Sequence, residues 1–377
     1  MFSRLYVHVP FCVKKCNYCA FVSNTPRENE LAEYPDLLLQ EVRLRASAVE
    51  PVASIYFGGG TPSLLQPYQL ARLLEGIAAT VEIRSDAEIT LEANPGTVDL
   101  ISLKAFLDAG INRISLGVQS FDDHFLDCLG RIHTAAESRR AFDEVRAARF
   151  GNVSLDLIHS LPGQSLDQWR TELRHAVALS PEHISIYGLT VEDGTLFAHR
   201  YPVDSPDLAD DDLSADMFEL ADELLTAAGF EHYEIANYAR PGCRARHNSG
   251  YWQRDGYLGL GVAAHSFLRE GYGVRFCNPG TVMEYRQGVV SGQLARVDTE
   301  YLTLDAAMAE YMFLGLRMAD GVDLHAFERE FGRSPETRYG SAIADLVRLG
   351  LLTRKGSTLL LTLRGMLLSN QVFARFL

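Results

Sequence analysis

Six short apolar runs, each followed by a helical pattern, constrain this chain more than any other feature. The runs are Leu5–Val9, Ser54–Phe57, Glu88–Glu92, Arg113–Val118, Asn152–Ile158 and His183–Tyr187. Most carry β-branched residues and are bounded by Gly, Pro or Asn, as strands are. Between them lie helical patterns over Leu31–Ser47, Pro67–Ala78, Leu100–Ala109, Ala135–Ala148 and Leu166–Ser180. Strands recurring at roughly 25 to 50 residues, with helices between, predict βαβ units and a parallel sheet covered by helices. Six such units predict an α/β fold built on a partial, TIM-like (β/α)6 barrel. In such a barrel the active residues gather at the C-terminal ends of the strands.

The chemistry-bearing residues fall where that architecture needs them. Cys12 follows the first strand and Gly58–Gly60 the second. Glu92 ends the third, Gln119 ends the fourth, and Asp156 lies in the fifth. Further on, Asp204–Glu223 is rich in Asp. It reads as a solvated helix with carboxylates near its N-terminus, in preference to an acidic docking patch. Beyond Gly256 the pattern changes to Gly-rich strands within GYLGLGVAAHSFL. From Leu302 it is helical again and ends in two short strands, Leu351–Thr353 and Thr358–Thr362. The expected division is a core barrel over 1–235, a Gly-rich extension over 236–300, and a smaller winged-helix-like α+β domain over 301–377.

Charge and composition exclude several classes. A formal net charge of −14 over 377 residues opposes broad attraction to nucleic acid or anionic membrane. A DNA-binding regulator using its winged helix is therefore disfavoured. The N-terminal LYVHVPFCVKKC lacks the apolar core of a signal peptide, and no apolar run of about 18 residues exists to span a bilayer. A cytoplasmic chain is expected. In that reducing compartment six cysteines are poor material for disulfides, and three of them crowd into Cys12-x3-Cys16-x2-Cys19.

Thiolates are soft ligands that suit zinc or iron–sulfur clusters. A structural zinc site wants four protein ligands, and no second spaced pair follows this one. A four-iron cluster held by three cysteines keeps one iron open to the amino and carboxylate groups of a cofactor. Tyr6-Val-His8-Val-Pro10-Phe11-Cys12, followed by Cys16 and Tyr18-Cys19, resembles the radical S-adenosylmethionine superfamily. Within it the chain is similar to the branch of oxygen-independent coproporphyrinogen III oxidases and their heme-chaperone relatives, and the likeness runs nearly its whole length.

That resemblance implies Cys12, Cys16 and Cys19 as ligands of a [4Fe-4S] cluster, with S-adenosylmethionine bound beside it. Gly59, Gly60 and Thr61, in the GGGTP turn, would hold its methionyl end, although a tight turn alone explains such glycines. Glu92 would contact the ribose, and Tyr6 and Tyr18, which flank the cysteines, are implied as further cofactor-binding residues. Gln119, Arg131 and Asp156 match positions that hold a second S-adenosylmethionine in the oxidase. For Arg131 a structural ion pair with a carboxylate is the competing reading.

Three features separate oxidase from chaperone. No cysteine stands two residues after Cys19, where Phe21 sits, and only eleven residues precede Cys12. The third is His247-Asn-Ser-Gly-Tyr251-Trp252, which resembles an HNxxYW motif of the chaperones. Histidine is a common heme ligand, and aromatic rings offer flat apolar surface. His247, Tyr251 and Trp252 are thus the heme candidates, with His265 and Cys243 as rival ligands. Arg244, Arg246 and Arg254 could pair with propionates. The resulting expectation is a heme chaperone that delivers heme to acceptor proteins, membrane respiratory enzymes among them. The alternative is a radical oxidative decarboxylase of coproporphyrinogen. The resemblance leaves room for a homodimer and for peripheral contact with a membrane, and it leaves the electron donor open.

Overall fold

The computed structural model describes residues 1–377 except Glu28, Val203 and Asp204. The first residue of the Asp-rich stretch, Asp204, therefore lies outside the described residues. Six parallel strands form the centre: β1 (Phe2–Val9), β2 (Val49–Gly59), β3 (Ile83–Ala93), β4 (Arg113–Gln119), β5 (Val153–His159) and β6 (His183–Gly188). Each contains its predicted run, except that β5 begins one residue later, at Val153 rather than Asn152. They pair in sequence order, β1 to β6, as right-handed βαβ units require. The helices between them, Glu30–Arg45, Pro67–Ala78, Leu100–Asp108, Ala135–Ala147 and Leu166–Leu179, match the predicted ones within two residues.

The sheet continues at both ends. On one side it adds the antiparallel pair β7 (Glu231–Glu234) and β8 (Asn237–Ala239). On the other, β9 (Tyr257–Leu260) lies parallel to β1, and β10 (His265–Leu268), β11 (Val274–Cys277) and β12 (Val297–Tyr301) follow antiparallel. The result is a twelve-stranded, mostly parallel sheet. The Gly-rich segment is thus an extension of the barrel sheet. One buried carboxylate fastens it: Glu41 accepts hydrogen bonds from Gly261 N (2.8 Å), Asn278 Nδ2 (2.7 Å) and the Tyr285 hydroxyl (2.7 Å). A fully buried Glu is tolerated only with such partners.

A second apolar cluster, built on Met308, Met312, Phe327, Ile343 and Val372, forms the core of the C-terminal part. It combines helices with a three-stranded sheet of β13 (Val322–Asp323), β15 (Thr358–Leu361) and β14 (Leu352–Lys355). The helix Asp211–Ala227 starts with Asp210 capping Leu213 N (2.8 Å) and with Asp211 and Asp212 in its first turn. That is the solvated-helix reading of the acidic stretch. Among the described residues no helix is long and apolar enough to cross a membrane.

Candidate functional site

The cysteine loop leaves β1 and is pinned on three sides. Cys12 N donates to Asn24 O (3.0 Å), and Asn24 N donates to Pro10 O (2.9 Å), so the loop closes on itself. Asn17 N donates to Leu129 O (3.0 Å) and Asn17 Nδ2 to Cys128 O (2.9 Å), which ties it across the barrel mouth. Thr61 N donates to Phe11 O (2.7 Å), joining it to the glycine turn after β2. Cys12, Cys16 and Cys19 are all half-buried free thiols facing one cavity of about 350 Å³.

Gly59 and Gly60 make the close approach to that loop. Gly59 has φ +109°, and a Cβ there would lie 2.5 Å from the His8 ring. At Gly60 a Cβ would lie 2.6 Å from Phe11 O. Side chains at either position would push the turn away from the cysteines. Thr61 Oγ1 stands 3.6 Å from Cys12 Sγ and accepts from Asn94 Nδ2 (3.0 Å).

The same cavity takes side chains from the ends of β3, β4 and β5. Glu92 accepts from the Tyr56 hydroxyl (2.8 Å); burial, with Asp156 near, pushes its carboxyl up to about 7. Asp156 accepts from Ser115 Oγ (3.0 Å) and Ser154 Oγ (3.3 Å), and burial raises it too. Gln119 sits in the left-handed region at φ 66°. Strain of this kind persists only where surrounding structure holds it, and it clusters at functional sites. Arg131 donates to Gly117 O (2.8 Å), to Asn94 Oδ1 and to Cys16 Sγ (3.4 Å). Its partners are thus not carboxylates, in contrast to the ion pair weighed from the sequence. Tyr18 also lines the cavity.

This donor set fits the group that the cysteine spacing suggests. Three soft thiols, with a guanidinium against one of them and Lys14 and Lys15 at the rim, suit an anionic cluster with thiolate ligands. Among the described residues no three His, Cys, Asp or Glu side chains are grouped as ligands of one ion. The glycine cradle and the two half-buried carboxylates line the space next to the thiols. Asn94, Ser115 and Tyr187 also line it, and sequence reasoning missed them. Only Asn94 carried a signal, as the residue after Glu92–Ala93 at the same strand end.

Tyr6 goes elsewhere. Its ring packs on Tyr56 (centroids 6.2 Å apart) and its hydroxyl meets His8 Nδ1 (3.1 Å), in the wall of a second, larger cavity of about 540 Å³. Burial keeps His8 neutral by lowering its pKa, and its Nε2 donates to Val22 O (2.8 Å), which fixes the tail of the cysteine loop. Phe21 lines both cavities, so the loop is their shared wall.

Tyr251, Trp252, Arg254 and His265 line this second cavity. His247 does not. It is 1% exposed, with Nδ1 bonded to Ser54 Oγ (2.8 Å) and Nε2 to the Tyr251 hydroxyl (2.8 Å). With both ring nitrogens engaged and burial holding the ring neutral, it has no free lone pair to offer a metal. The sequence placed His247 as a heme residue; the structure makes it the root of the helix Arg246–Trp252. Glu88 caps that helix, accepting from Arg246 N (3.0 Å) and His247 N (2.9 Å). A Cβ at Gly250 would lie 1.8 Å from Arg4 Nε, which explains the glycine inside the motif. Arg244 pairs with Glu231 and Asp320 and Arg246 with Asp86, so neither reaches the cavity. Cys243 also lies outside it, packed against the small apolar cluster of Tyr233, Ala239 and Met318. His265 is exposed on β10, at the cavity wall.

Comparison with known proteins agrees with this geometry. Residues 6–176 match the model of the Radical SAM superfamily, and residues 302–368 match the HemN C-terminal domain. The chain is 35% identical to the heme chaperone HemW of Lactococcus lactis, covering 100% of this chain and 97% of that protein. It is 36% identical to the heme chaperone HemW of Bacillus subtilis, covering 99% and 98%. In fold it is similar to coproporphyrinogen III oxidase (HemN) from Escherichia coli, with a TM-score of 0.86 at 24% identity, over 99% of this chain and 89% of that one. A thiol-lined barrel mouth, both family models and full-length relatives lead to one conclusion: the chain belongs to the radical SAM superfamily, in the branch that contains the HemW proteins.

Proposed function

We propose that this chain is a heme chaperone: it binds heme in the larger cavity and hands it to acceptor proteins. The observation that carries the reading is the make-up of that cavity. It joins the flat aromatic faces of Tyr251, Trp252 and Tyr257 to an exposed imidazole, His265, and to two arginines, Arg254 and Arg275. Its volume lies within the roughly 300–1,000 Å³ of cofactor sites. His265 is the axial ligand in this reading, and the arginines face the propionates.

Superfamily membership implies a [4Fe-4S] cluster and S-adenosylmethionine. Cys12, Cys16 and Cys19 would hold the cluster, with Arg131 compensating charge at Cys16. Gly59, Gly60 and Thr61 would accept the methionyl end of S-adenosylmethionine on backbone groups, with Tyr18 beside them. Glu92, Gln119 and Asp156 would bind the nucleoside hydroxyls. When bound, these groups supply one-electron redox chemistry beside the heme cavity. The Phe21 wall is where a change at the cysteines reaches the heme. Two names for this branch, oxidase and chaperone, imply different assays. The chain reconstituted anaerobically is titrated separately with heme and with coproporphyrinogen plus reductant. A stoichiometric Soret band and heme transfer to an apo-acceptor are expected. Absence of a stable band, or formation of protoporphyrinogen, would reject the reading.

A further inference from the structure

The larger cavity holds buried polar atoms whose hydrogen bonding the fold leaves incomplete. Trp252 Nε1, Arg254 Nε, Arg275 Nε and Glu310 Oε2 are all buried and all without a hydrogen-bond partner, and all four residues line this cavity. Buried polar groups are nearly always paired; here Arg254 Nε and Glu310 Oε2 only face each other at 3.5 Å, and the Trp252 and Arg275 donors are open, so the space keeps incompletely bonded donors for a polar ligand group. Arg254 and Glu310 are 6% and 5% exposed. The Arg254 backbone is held in the left-handed region, at φ 57°, which a long side chain adopts only under constraint.

The charges are unequal in origin. Arg254 lies in the turn between the motif helix and β9, and Arg275 lies on β11. Glu310 comes from the helix Leu304–Gly315, whose Met308 and Met312 belong to the C-terminal core. Its Oε1 meets Arg275 Nη2 at 2.7 Å, while its Oε2 stands 3.5 Å from Arg254 Nε. One carboxylate is stretched between two guanidiniums and saturates neither. The site keeps one net positive charge with Glu310 in place and gains a second if Glu310 leaves. A tetrapyrrole with two propionates would neutralise both.

We propose that Glu310 stands in for a ligand carboxylate: a porphyrin propionate takes Arg254 and Arg275 over from it. Occupancy of the cavity and docking of the helix Leu304–Gly315 on the sheet then oppose each other. Coupling of this kind is reciprocal. Ligand loosens the helix, and a partner that presses the helix back weakens the hold on the ligand. The fold thereby contains a release device for handover. This inference rests on the heme reading above and adds the residues that recognise and expel the ligand.

The test uses the full-length reconstituted chain with metal-free protoporphyrin IX and its dimethyl ester, which removes axial ligation from the comparison. Binding is read from porphyrin fluorescence, and hydrogen exchange is followed over residues 304–315. The diacid is expected to bind roughly tenfold tighter than the diester, the order of one charge-assisted hydrogen bond. Arg275→Met erases that preference. Glu310→Gln tightens the diacid several-fold and leaves the diester unchanged. The diacid, and not the diester, speeds exchange in the helix; Glu310→Gln shows fast exchange already when empty. Equal binding of diacid and diester, or weaker diacid binding by Glu310→Gln, would overturn the proposal. Should Glu310→Gln fail to fold, Arg275→Met and the wild-type exchange comparison still decide. If neither porphyrin nor heme binds, the heme reading itself fails; if heme binds without carboxylate discrimination, only the Glu310 proposal fails.

Discussion

His247 and His265 make opposite demands on the molecule, and substituting each in turn separates structure from ligation. His247→Ala removes a ring that is 1% exposed and lies 5.1 Å from the Tyr56 ring and 5.0 Å from that of Tyr251. Loss of its buried surface costs about 2 kcal/mol. The Tyr251 hydroxyl loses its bond to Nε2, adding about 1 kcal/mol, whereas Ser54 keeps the hydrogen bond from Arg4 (3.1 Å). The sum, about 3 kcal/mol, is a large part of the 5–15 kcal/mol that roughly bounds domain stability. His265→Ala alters an exposed side chain, and its effect on stability should stay within about 0.5 kcal/mol. Urea unfolding reads the first quantity. A heme titration in the Soret region, with the variants shown folded by circular dichroism, reads the second. His265→Ala is expected to weaken heme by roughly tenfold or more and to change the ligand-field bands, about 1.4 kcal/mol or above. His247→Ala, held below its lowered midpoint, should keep those bands. A pH series adds a signature. Burial and the nearby Arg4 hold the His247 pKa below its unfolded value near 6.5, so the unfolded chain takes up a proton there that the folded chain refuses. Stability from this group is intact above pH 6.5 and is lost as pH falls below it; His247→Ala should flatten that loss. The reasoning is refuted if His247→Ala unfolds at the wild-type midpoint yet loses axial ligation, while His265→Ala binds heme unchanged.

Other outcomes follow from the cysteine cavity. Cys16→Ala should abolish the broad visible absorbance and lower iron per chain, while Cys243→Ser should keep both; a fully loaded cluster in Cys16→Ala would remove Cys16 from the ligand set. Gly60→Ala puts a methyl 2.6 Å from Phe11 O and 2.8 Å from Phe11 N, backbone on both counts. A cost of about 1–3 kcal/mol and a cluster lost faster to chelator are expected, read by unfolding and by iron release; an unchanged midpoint would show that the turn gives way freely. Glu92 is held near 7, so between pH 4.5 and 7 the folded chain keeps a proton that the unfolded one has released. Its contribution to the stability of the empty fold falls as pH rises through that window. Affinity for the cationic sulfonium ligand should rise through the same window, and Glu92→Gln should weaken binding and flatten the profile, measured by equilibrium dialysis; a parallel profile in the variant would exclude Glu92.

Much of the site was legible because a parallel sheet places it. A glycine turn, a carboxylate and an amide at successive strand ends must converge on one barrel mouth once the strands are in order. Glu92, Gln119, Asp156 and the three cysteines could therefore be gathered from linear spacing alone. Tyr6 stands in the wall of the neighbouring cavity, stacked on Tyr56, a placement that its nearness to Cys12 in sequence does not display. Arg131 was found, but its partners were not: Asn94 follows β3 and Gly117 lies on β4, both far from it in sequence order.

The heme residues show the larger division. From the sequence came the motif HNSGYW and its proximity to aromatic residues, together with the cysteine spacing, the six βα units and the late hairpin. Those are local patterns, written by periodicity, turn chemistry and ligand type. Which histidine faces the cavity was decided only when Glu88 capped the motif helix and Arg4 packed on Gly250, burying His247 and leaving His265 on the open wall. Arg275 and Glu310 meet at 2.7 Å from segments with separate cores. No local pattern links them, because their pairing depends on how the C-terminal helices dock on the sheet, a packing between distant surfaces that the order of residues does not display.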